Sequence, residues 1–279
     1  MSRPVRIEFP GATYHVTSKS RLEQVIFIDD DDRGSFLNML ENVVQRFGWL
    51  IHSFVLLSDH YELVVEVPES NLSKGMRQLN GVYTQHFNRR HGREGPIFHG
   101  RFKSVLFEKK SYLLPICRHV VTGPHRLQVP ENYALYKWSS YRALAGQARK
   151  PSFLHPDEVL KSFAKREKDS QRKYREYIKQ GLDADSPMAA RKNQVLLGSP
   201  RFLNEMKPIL QGERLSKRGP KAAKRRRSLR VLFKRVEEIS RHERNELIKR
   251  AHLEHGYTLM EIGDHLGLHY TTVSKVINA

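Results

Sequence analysis

The chain has 279 residues, and its 49 lysines and arginines outnumber its 30 aspartates and glutamates, which gives a formal net charge of +19. Nucleic acid is therefore the expected class of partner, because basic surfaces attract phosphate backbones. No stretch approaches the roughly 18 consecutive apolar residues of a membrane-spanning helix. Since the first ten residues also lack the apolar core of a signal peptide, we expect no membrane partner and a cytoplasmic, nucleoid-associated location.

The first half of the chain alternates strand-like and helix-like segments. A strand is predicted over residues 12–18, and a helix with apolar residues at helical spacing follows it, capped by Asp31 and Asp32. Two apolar runs, 49–57 and 61–67, are separated by a short polar segment. Such runs predict a β-hairpin.

The same alternation continues to the end of this half. Asn71 is placed to cap a second helix, which ends near Gly92, and a strand over 102–107 leads into a helix over 109–121. The order βαββαβ followed by a helix predicts an α+β domain over 1–147. We expect a ferredoxin-like antiparallel sheet with helices on one face.

His60 and Glu62 belong to the second strand of the predicted hairpin. Because successive side chains on a strand alternate faces, these two project to the same side. A histidine and a carboxylate at this spacing suit a divalent metal such as Mg²⁺ or Mn²⁺. An isolated pair of this kind more often means only that a half-buried strand carries two polar residues. The interpretation as a metal site therefore depends on the rest of the sequence. The strand is expected to be central, with the 109–121 helix close to it.

A charge-rich helical region is predicted over 148–215, followed by a basic linker over 216–227. The linker contains Arg225, Arg226 and Arg227 and has no apolar period. It is either a flexible connection or a tether that contacts phosphates, and its charge density favours the tether.

The segment 228–279 has the pattern of a helix-turn-helix domain. Thr258 is placed to cap one helix, and Gly267 turns the chain into a second helix with a compatible apolar period. A helical hairpin that only packs is the alternative. The side chains predicted to contact bases and phosphates of duplex DNA are Tyr270, Thr271, Thr272, Ser274 and Lys275.

Several separated motifs together resemble one family, the REP-associated tyrosine transposases, which are single-strand DNA transposases of the HUH class. The resemblance spans about residues 1–147, and the C-terminal segment is similar to a DnaA-like helix-turn-helix tail. The motifs are Arg6-Ile-Glu-Phe-Pro-Gly-Ala-Thr-Tyr-His-Val-Thr17, Asp59-His60-Tyr61, Gly75-Met-Arg-Gln-Leu-Asn-Gly81, Tyr83-Thr-Gln-His-Phe-Asn-Arg-Arg-His-Gly92, Phe98-His-Gly-Arg-Phe-Lys103 and Trp138-Ser-Ser-Tyr141.

The resemblance implies a metal-dependent reaction in which a tyrosine attacks single-stranded DNA beside a hairpin and becomes linked to a 5′ phosphate. This sequence departs from the pattern at three positions. His60 matches the first metal histidine, but Glu62 stands where the second belongs. His119 occupies the position of the nucleophilic tyrosine, and Gly123 the position of the asparagine that completes the metal shell.

These departures predict a DNA-binding protein that is catalytically inactive, a domesticated transposase that regulates transcription or genome elements. We expect it to bind duplex DNA through the helix-turn-helix and hairpin or single-stranded DNA through the N-terminal domain. No cofactor is required for binding, and Mg²⁺ or Mn²⁺ matters only if the degenerate site still works. The alternative is an active, metal-dependent transposase or nickase that acts on hairpin-bearing single-stranded DNA with a remodelled site. His119 would then be a candidate substitute nucleophile. RNA remains open as a partner, and the sequence specifies no oligomeric state.

Overall fold

The structure is a computed structural model that describes residues 7–21, 24–210, 228–234, 236, 239–255 and 257–278. The whole of the predicted basic linker over 216–227, including Arg225, Arg226 and Arg227, lies outside the described residues.

The first half folds into an α+β domain, as the sequence predicts. Its sheet has the order β2-β3-β1-β4-β5, in which the first four strands pair antiparallel in a ferredoxin-like order and β5 pairs parallel with β4. The two-residue β5 is absent from the sequence prediction because so short a strand has no period. The elements are β1 (Ala12–Lys19), α1 (Asp30–Phe47), β2 (Leu50–Leu57), β3 (His60–Val67), α2 (Leu72–His91), β4 (Lys103–Phe107), α3 (Lys109–Val121) and β5 (Leu196–Leu197).

Helices cover both faces of the sheet, which corrects the prediction of helices on one face. On one side, the buried Tyr61 ring packs 4.6 Å from Phe36 of α1, and its hydroxyl lies 2.5 Å from the amide oxygen of Asn80 on α2. On the other side, α3 places His119 opposite Glu62. The core is therefore formed by the apolar faces of α1 and α2 together with both faces of β3.

The cap of α1 differs from the prediction. Asp29, not Asp31 or Asp32, is the N-cap residue, and its carboxylate accepts a hydrogen bond from the backbone N–H of Asp32. The Asp32 carboxylate turns inward, where it pairs with Arg90 of α2. Four consecutive aspartates offer equal local cap chemistry, so the contact with α2 decides which one caps.

The residues after 122 pack on the same core as the sheet, without a break at the predicted boundary after residue 147. The elements are α4 (Gly123–Arg126), α5 (Tyr141–Leu144), α6 (Asp157–Lys161), α7 (Glu167–Gln180), a 3₁₀ turn (Pro187–Ala190) and α8 (Pro200–Leu210). The core residues contributed after 147 are Phe153, Leu154, Val159, Tyr174, Ile178, Met188, Leu196, Leu197 and Met206.

The C-terminal segment forms α9 (Leu229–Leu232), α10 (Arg241–Leu253), α11 (Leu259–Leu266) and α12 (Tyr270–Asn278) around a second core. Thr258 caps α11 as predicted, in a capping box with Glu261. Gly263 permits the tight turn into α12, because a Cβ there would lie 2.5 Å from the Leu268 carbonyl oxygen. The second core consists of Phe233, Ile248, Ala251, Tyr257, Leu259, Ile262, Val273 and Ile277.

The C-terminal helices pack against α1 of the first domain. The buried Ser274 hydroxyl donates a hydrogen bond to the Gln45 carbonyl oxygen at 2.7 Å. Gly48, which ends α1 in the left-handed region, lies under Leu259, and a Cβ at Gly48 would be 2.6 Å from the Leu259 Cδ1 atom. The two cores are thus held together at the end of α1.

None of the helices in the described ranges is both long and apolar enough to cross a membrane.

We expect Gly75→Ala to lower the free energy of unfolding by about 1–3 kcal/mol through overpacking. A Cβ at Gly75 would overlap the ring of Trp49, which is buried and fixed by a hydrogen bond from its indole N–H to Asn71. Gly81→Ala on the same helix is the matched control, since nothing lies within 4 Å of a Cβ there. The control should be neutral or stabilising by up to about 1 kcal/mol. Urea unfolding measures both, and equal midpoints for the two variants would contradict this packing.

Candidate active site

The strand predicted to bind a metal is β3, and its side chains alternate between the two faces of the sheet as expected. In the sheet register, Lys19 of β1 lies opposite His60, and Thr17 lies opposite Glu62. Residues directly opposite in an antiparallel pair share a face. His60 and Glu62 therefore point toward α3, away from Tyr61 and the α1–α2 side.

The buried Glu62 carboxylate is the centre of this site. His15 Nε2 donates a hydrogen bond to Glu62 Oε2 at 2.7 Å, and His60 Nε2 lies 3.5 Å from Oε1. Arg126 Nη2 donates to Oε1 at 3.4 Å, and His119 Nε2 lies 4.0 Å from Oε2. We call these five residues the Glu62 cluster.

The cluster favours an ionised carboxylate and a neutral histidine at position 119. Burial by itself would raise the pKa of Glu62, but hydrogen bonds from His15 and His60 outweigh it and hold the pKa well below its usual value. Burial would likewise lower the pKa of His60, whereas its bonds to Glu62 and Asp59 raise it. For His119, burial dominates and lowers the pKa to about 4, against the raising effect of Glu62.

His119 lies near the end of α3, where the resemblance places the nucleophilic tyrosine. Its Nδ1 atom is 3.3 Å from the Ser186 hydroxyl, and its carbonyl accepts a hydrogen bond from Arg126 Nη2 at 3.0 Å. The end of α3 therefore lies close to β3, as expected. Tyr112, two turns earlier, is partly buried and packs against the core.

Gly123 begins α4 and is buried against β2. A Cβ at this position would lie 3.5 Å from side-chain carbons of Val55 and Leu57, and 3.7 Å from Arg126 Nη2. A longer side chain such as asparagine would extend toward this guanidinium. The Arg126 guanidinium therefore lies close to where the side chain of a third metal ligand at position 123 would be.

The Glu62 cluster does not fit the divalent metal that the resemblance implies. Gly123 supplies no ligand, and the positively charged guanidinium of Arg126 approaches the carboxylate oxygen nearest to His60. A cation at this position would meet electrostatic repulsion. In the described part of the chain, a group of three potential ligands within 4.8 Å of one another occurs elsewhere, at His52, Glu66 and Glu158.

That second group is already occupied by a protein cation. Lys109 Nζ pairs with Glu66 at 2.5 Å and also with Glu158, while His52 Nε2 lies 3.1 Å from Glu66. Burial would raise the pKa of Glu66, but His52 and Lys109 hold it at about 2. The group connects β2, β3, α3 and α6 as an ion-pair network.

Three contributors to the site were not among the residues predicted from the sequence: His15, Asp59 and Arg126. Asp59 accepts a hydrogen bond from His60 Nδ1 at 2.6 Å and so orients the ring. Strand alternation signals that His15 can share a face with other polar residues of β1. It does not reveal that β1 pairs with β3, and nothing local indicates that Arg126 turns back to Glu62.

The four-stranded antiparallel core has a ferredoxin-like strand order and brings the end of α3 close to β3 at the Glu62 cluster. Residues 9–117 match the family model of IS200-like transposases. Over this segment the chain is similar to that family, in agreement with the resemblance of the motifs. The match ends two residues before His119, so the altered positions 119 and 123 lie beyond it.

One solved structure similar to this chain is that of a REP-associated tyrosine transposase bound to a REP hairpin. The two share 15% sequence identity with a TM-score of 0.46, and the similarity covers 56% of this chain and 92% of that chain. No curated protein sequence matches the chain.

We expect Mn²⁺ to shift the unfolding temperature of the wild-type protein and of His60→Ala by the same amount, because Arg126 and the missing ligand exclude a metal from the Glu62 cluster. Differential scanning calorimetry with and without Mn²⁺ measures this. Glu62→His/Gly123→Asn/Arg126→Ala is the positive control, since bound ligand at about 100 times Kd adds about 2.7 kcal/mol. A stabilisation seen in the wild type and lost in His60→Ala would show that the cluster binds metal.

Proposed function

We propose that this protein is a domesticated IS200-like transposase that binds DNA without cleaving it. The observation that carries the proposal is the Glu62 cluster, in which His119 stands where relatives have the nucleophile and Arg126 stands beside the degenerate metal site. Strand cleavage by the family route needs a tyrosine oxygen and a polarising metal. The Glu62 cluster contains no tyrosine, and its set of side chains does not suit a divalent metal.

DNA binding is supported by features that the loss of catalysis leaves unchanged. The whole chain carries a net charge of +19, the N-terminal domain has a continuous apolar core, and α1 has a side-chain N-cap. We infer that the N-terminal domain binds hairpin or single-stranded DNA. The basic linker, with Arg225, Arg226 and Arg227, would add phosphate contacts that do not depend on sequence.

The C-terminal helices are the proposed reader of duplex DNA. Tyr270, Thr271, Thr272 and Lys275 are exposed on α12, which is consistent with a recognition helix that enters a major groove. Ser274 faces the other way, toward Gln45, so we leave it out of the duplex-reading set. A protein with two such DNA-binding parts suits regulation of transcription or of genome elements in the cytoplasm.

The second candidate function is strand cleavage with His119 as the nucleophile. The position of His119 supports it, because this residue stands where relatives have the nucleophile and a neutral imidazole nitrogen has a free electron pair. Attack on a phosphodiester would form a nitrogen–phosphorus bond to the 5′ phosphate and release a 3′ oxygen that takes up a proton. The position of Arg126 disfavours the metal that would assist this step in relatives.

We expect no covalent adduct when the protein is incubated with hairpin-bearing single-stranded DNA and Mg²⁺ or Mn²⁺. A labelled oligonucleotide and a denaturing gel measure this, with His119→Ala as the control. A wild-type adduct that disappears in His119→Ala would overturn the non-catalytic proposal. It would establish His119 as a replacement nucleophile.

We expect Thr271→Ala/Thr272→Ala/Lys275→Ala to abolish discrimination between duplex sequences while it leaves sequence-independent affinity. Each base contact contributes about 1–3 kcal/mol of discrimination. Selection from a random duplex library, followed by competition binding, measures the loss. Arg250→Ala on α10 is the control for the removal of one exposed charge, and a triple variant that selects the same sequences as the wild type would exclude α12 as the reader.

A further inference from the structure

A cavity of about 340 Å³ lies where the C-terminal helix α10 meets the sheet. Three histidines border it, and we call it the histidine cavity: His52, His155 and His252. Glu66 and Glu158 border it as well. The cavity therefore brings together side chains of β2, β3, α6 and α10.

The histidine cavity concentrates carboxylates in a chain whose net charge is +19. Two of them have cations of their own at the rim: Asp157 pairs with Lys161 at 3.7 Å, and Glu254 pairs with Arg250 at 3.5 Å. Glu66 and Glu158 share a single lysine, Lys109. One negative charge between these two carboxylates is therefore left for a further cation.

Three side chains of the cavity have the spacing of ligands around one metal ion. His52 Nε2 lies 3.1 Å from Glu66 Oε2 and 3.9 Å from Glu158 Oε2. The three residues offer ligand atoms that all lie within 4.8 Å of one another. Ligands in a tetrahedral zinc site with bonds of roughly 2.0–2.1 Å are about 3.4 Å apart, and the observed separations bracket this value.

The buried His52 ring is oriented as a metal ligand is. Its Nδ1 atom lies 3.3 Å from the His155 carbonyl oxygen, which can only accept a hydrogen bond. When Nδ1 carries the hydrogen of a neutral ring, Nε2 presents its electron pair to Glu66 and Glu158. That arrangement is repulsive unless a cation lies between the nitrogen and the carboxylates. Metal-binding histidines commonly donate their other N–H to a backbone carbonyl in this way.

His252 of α10 provides an independent observation on the same cavity. Its side chain is buried, with 6% exposed, and its Nδ1 donates a hydrogen bond to the Tyr257 carbonyl oxygen at 2.7 Å. Among the described residues, its Nε2 atom has no hydrogen-bond partner. Burial lowers the pKa of His252, against the raising effect of the Glu66 carboxylate. A second buried imidazole nitrogen therefore borders the cavity, within electrostatic reach of Glu66.

We propose that the histidine cavity binds a divalent transition-metal cation of the zinc type through His52, Glu66, Glu158 and His252. Imidazole nitrogens favour such ions over Mg²⁺ and Ca²⁺, and two histidines with two carboxylates neutralise the charge of the ion. Lys109 holds the carboxylates in the absence of metal and turns toward solvent when metal enters, since its side chain is 30% exposed. The ion joins α10 to the sheet, and this role does not depend on whether the protein binds DNA.

The test compares two full-length variants of the same helix, His252→Gln and His242→Gln. His242 is exposed at the start of α10, so its replacement controls for the loss of one imidazole. Both changes are made in a His60→Ala background, which removes a histidine of the Glu62 cluster as a competing zinc ligand. Isothermal titration calorimetry with ZnCl₂ at pH 7, on protein dialysed against a chelator, gives Kd. Thermal unfolding followed by circular dichroism checks that the variants are folded.

We expect His252→Gln to bind zinc at least about tenfold more weakly than His242→Gln, because it lacks one ligand. Lys109→Gln removes the competing ammonium group and should tighten zinc binding by roughly tenfold. Equal zinc affinities of the two α10 variants would overturn the proposal. Weaker zinc binding by a folded Lys109→Gln protein would also overturn it.

A second measurement reads the ligands of the ion directly and leaves the cavity unchanged. Zinc K-edge X-ray absorption of the His60→Ala protein with an equimolar amount of zinc should show nitrogen and oxygen ligands at roughly 2.0–2.1 Å in tetrahedral geometry. The outer scattering of imidazole rings should accompany them. An ion surrounded by oxygen atoms without imidazole, or a protein that binds no zinc, would overturn the proposal.

Discussion

Glu62 is an ionised carboxylate in the interior, and the surrounding structure is arranged to stabilise that charge. Burying an isolated charge costs several kcal/mol, so it must be paired and hydrogen-bonded. His15 of β1, His60 of β3 and Arg126 of α4 supply these contacts from three separate elements. The stabilisation of one carboxylate thereby fixes the end of α3 and the start of α4 against the sheet, and brings His119 to within 4.0 Å of Glu62.

The same arrangement changes the chemistry available to the domain. A metal site of the family type requires ligands that face an open position, whereas the carboxylate here faces protein donors. Arg126 supplies positive charge next to Glu62 without the open coordination positions of a metal ion. β3 and the end of α3 therefore meet at the Glu62 cluster, and the polar groups that meet there pair with one another.

The contact between the two cores bears on the proposed binding of DNA. Because Ser274 and Leu259 pack on the end of α1 at Gln45 and Gly48, α12 is held at a defined position relative to the sheet. If both parts bind DNA as proposed, a packed unit favours targets whose two parts have a matching spacing, and effective concentration then strengthens the pair. A long flexible tether alone would tolerate many spacings.

The sequence by itself determined the features that depend on local periodicity and backbone preference. The bounds of α3 at Lys109–Val121, the stop of α1 at Gly48 and the alternation along β3 were predictable, because helical period, positive φ and strand pleat are properties of neighbouring residues. The motifs also predicted the transposase family. Only the tertiary structure decided which aspartate caps α1, that Arg126 lies beside Glu62, and that Ser274 faces the protein. Each of these choices is made by a contact with residues distant in the chain, which no local pattern encodes.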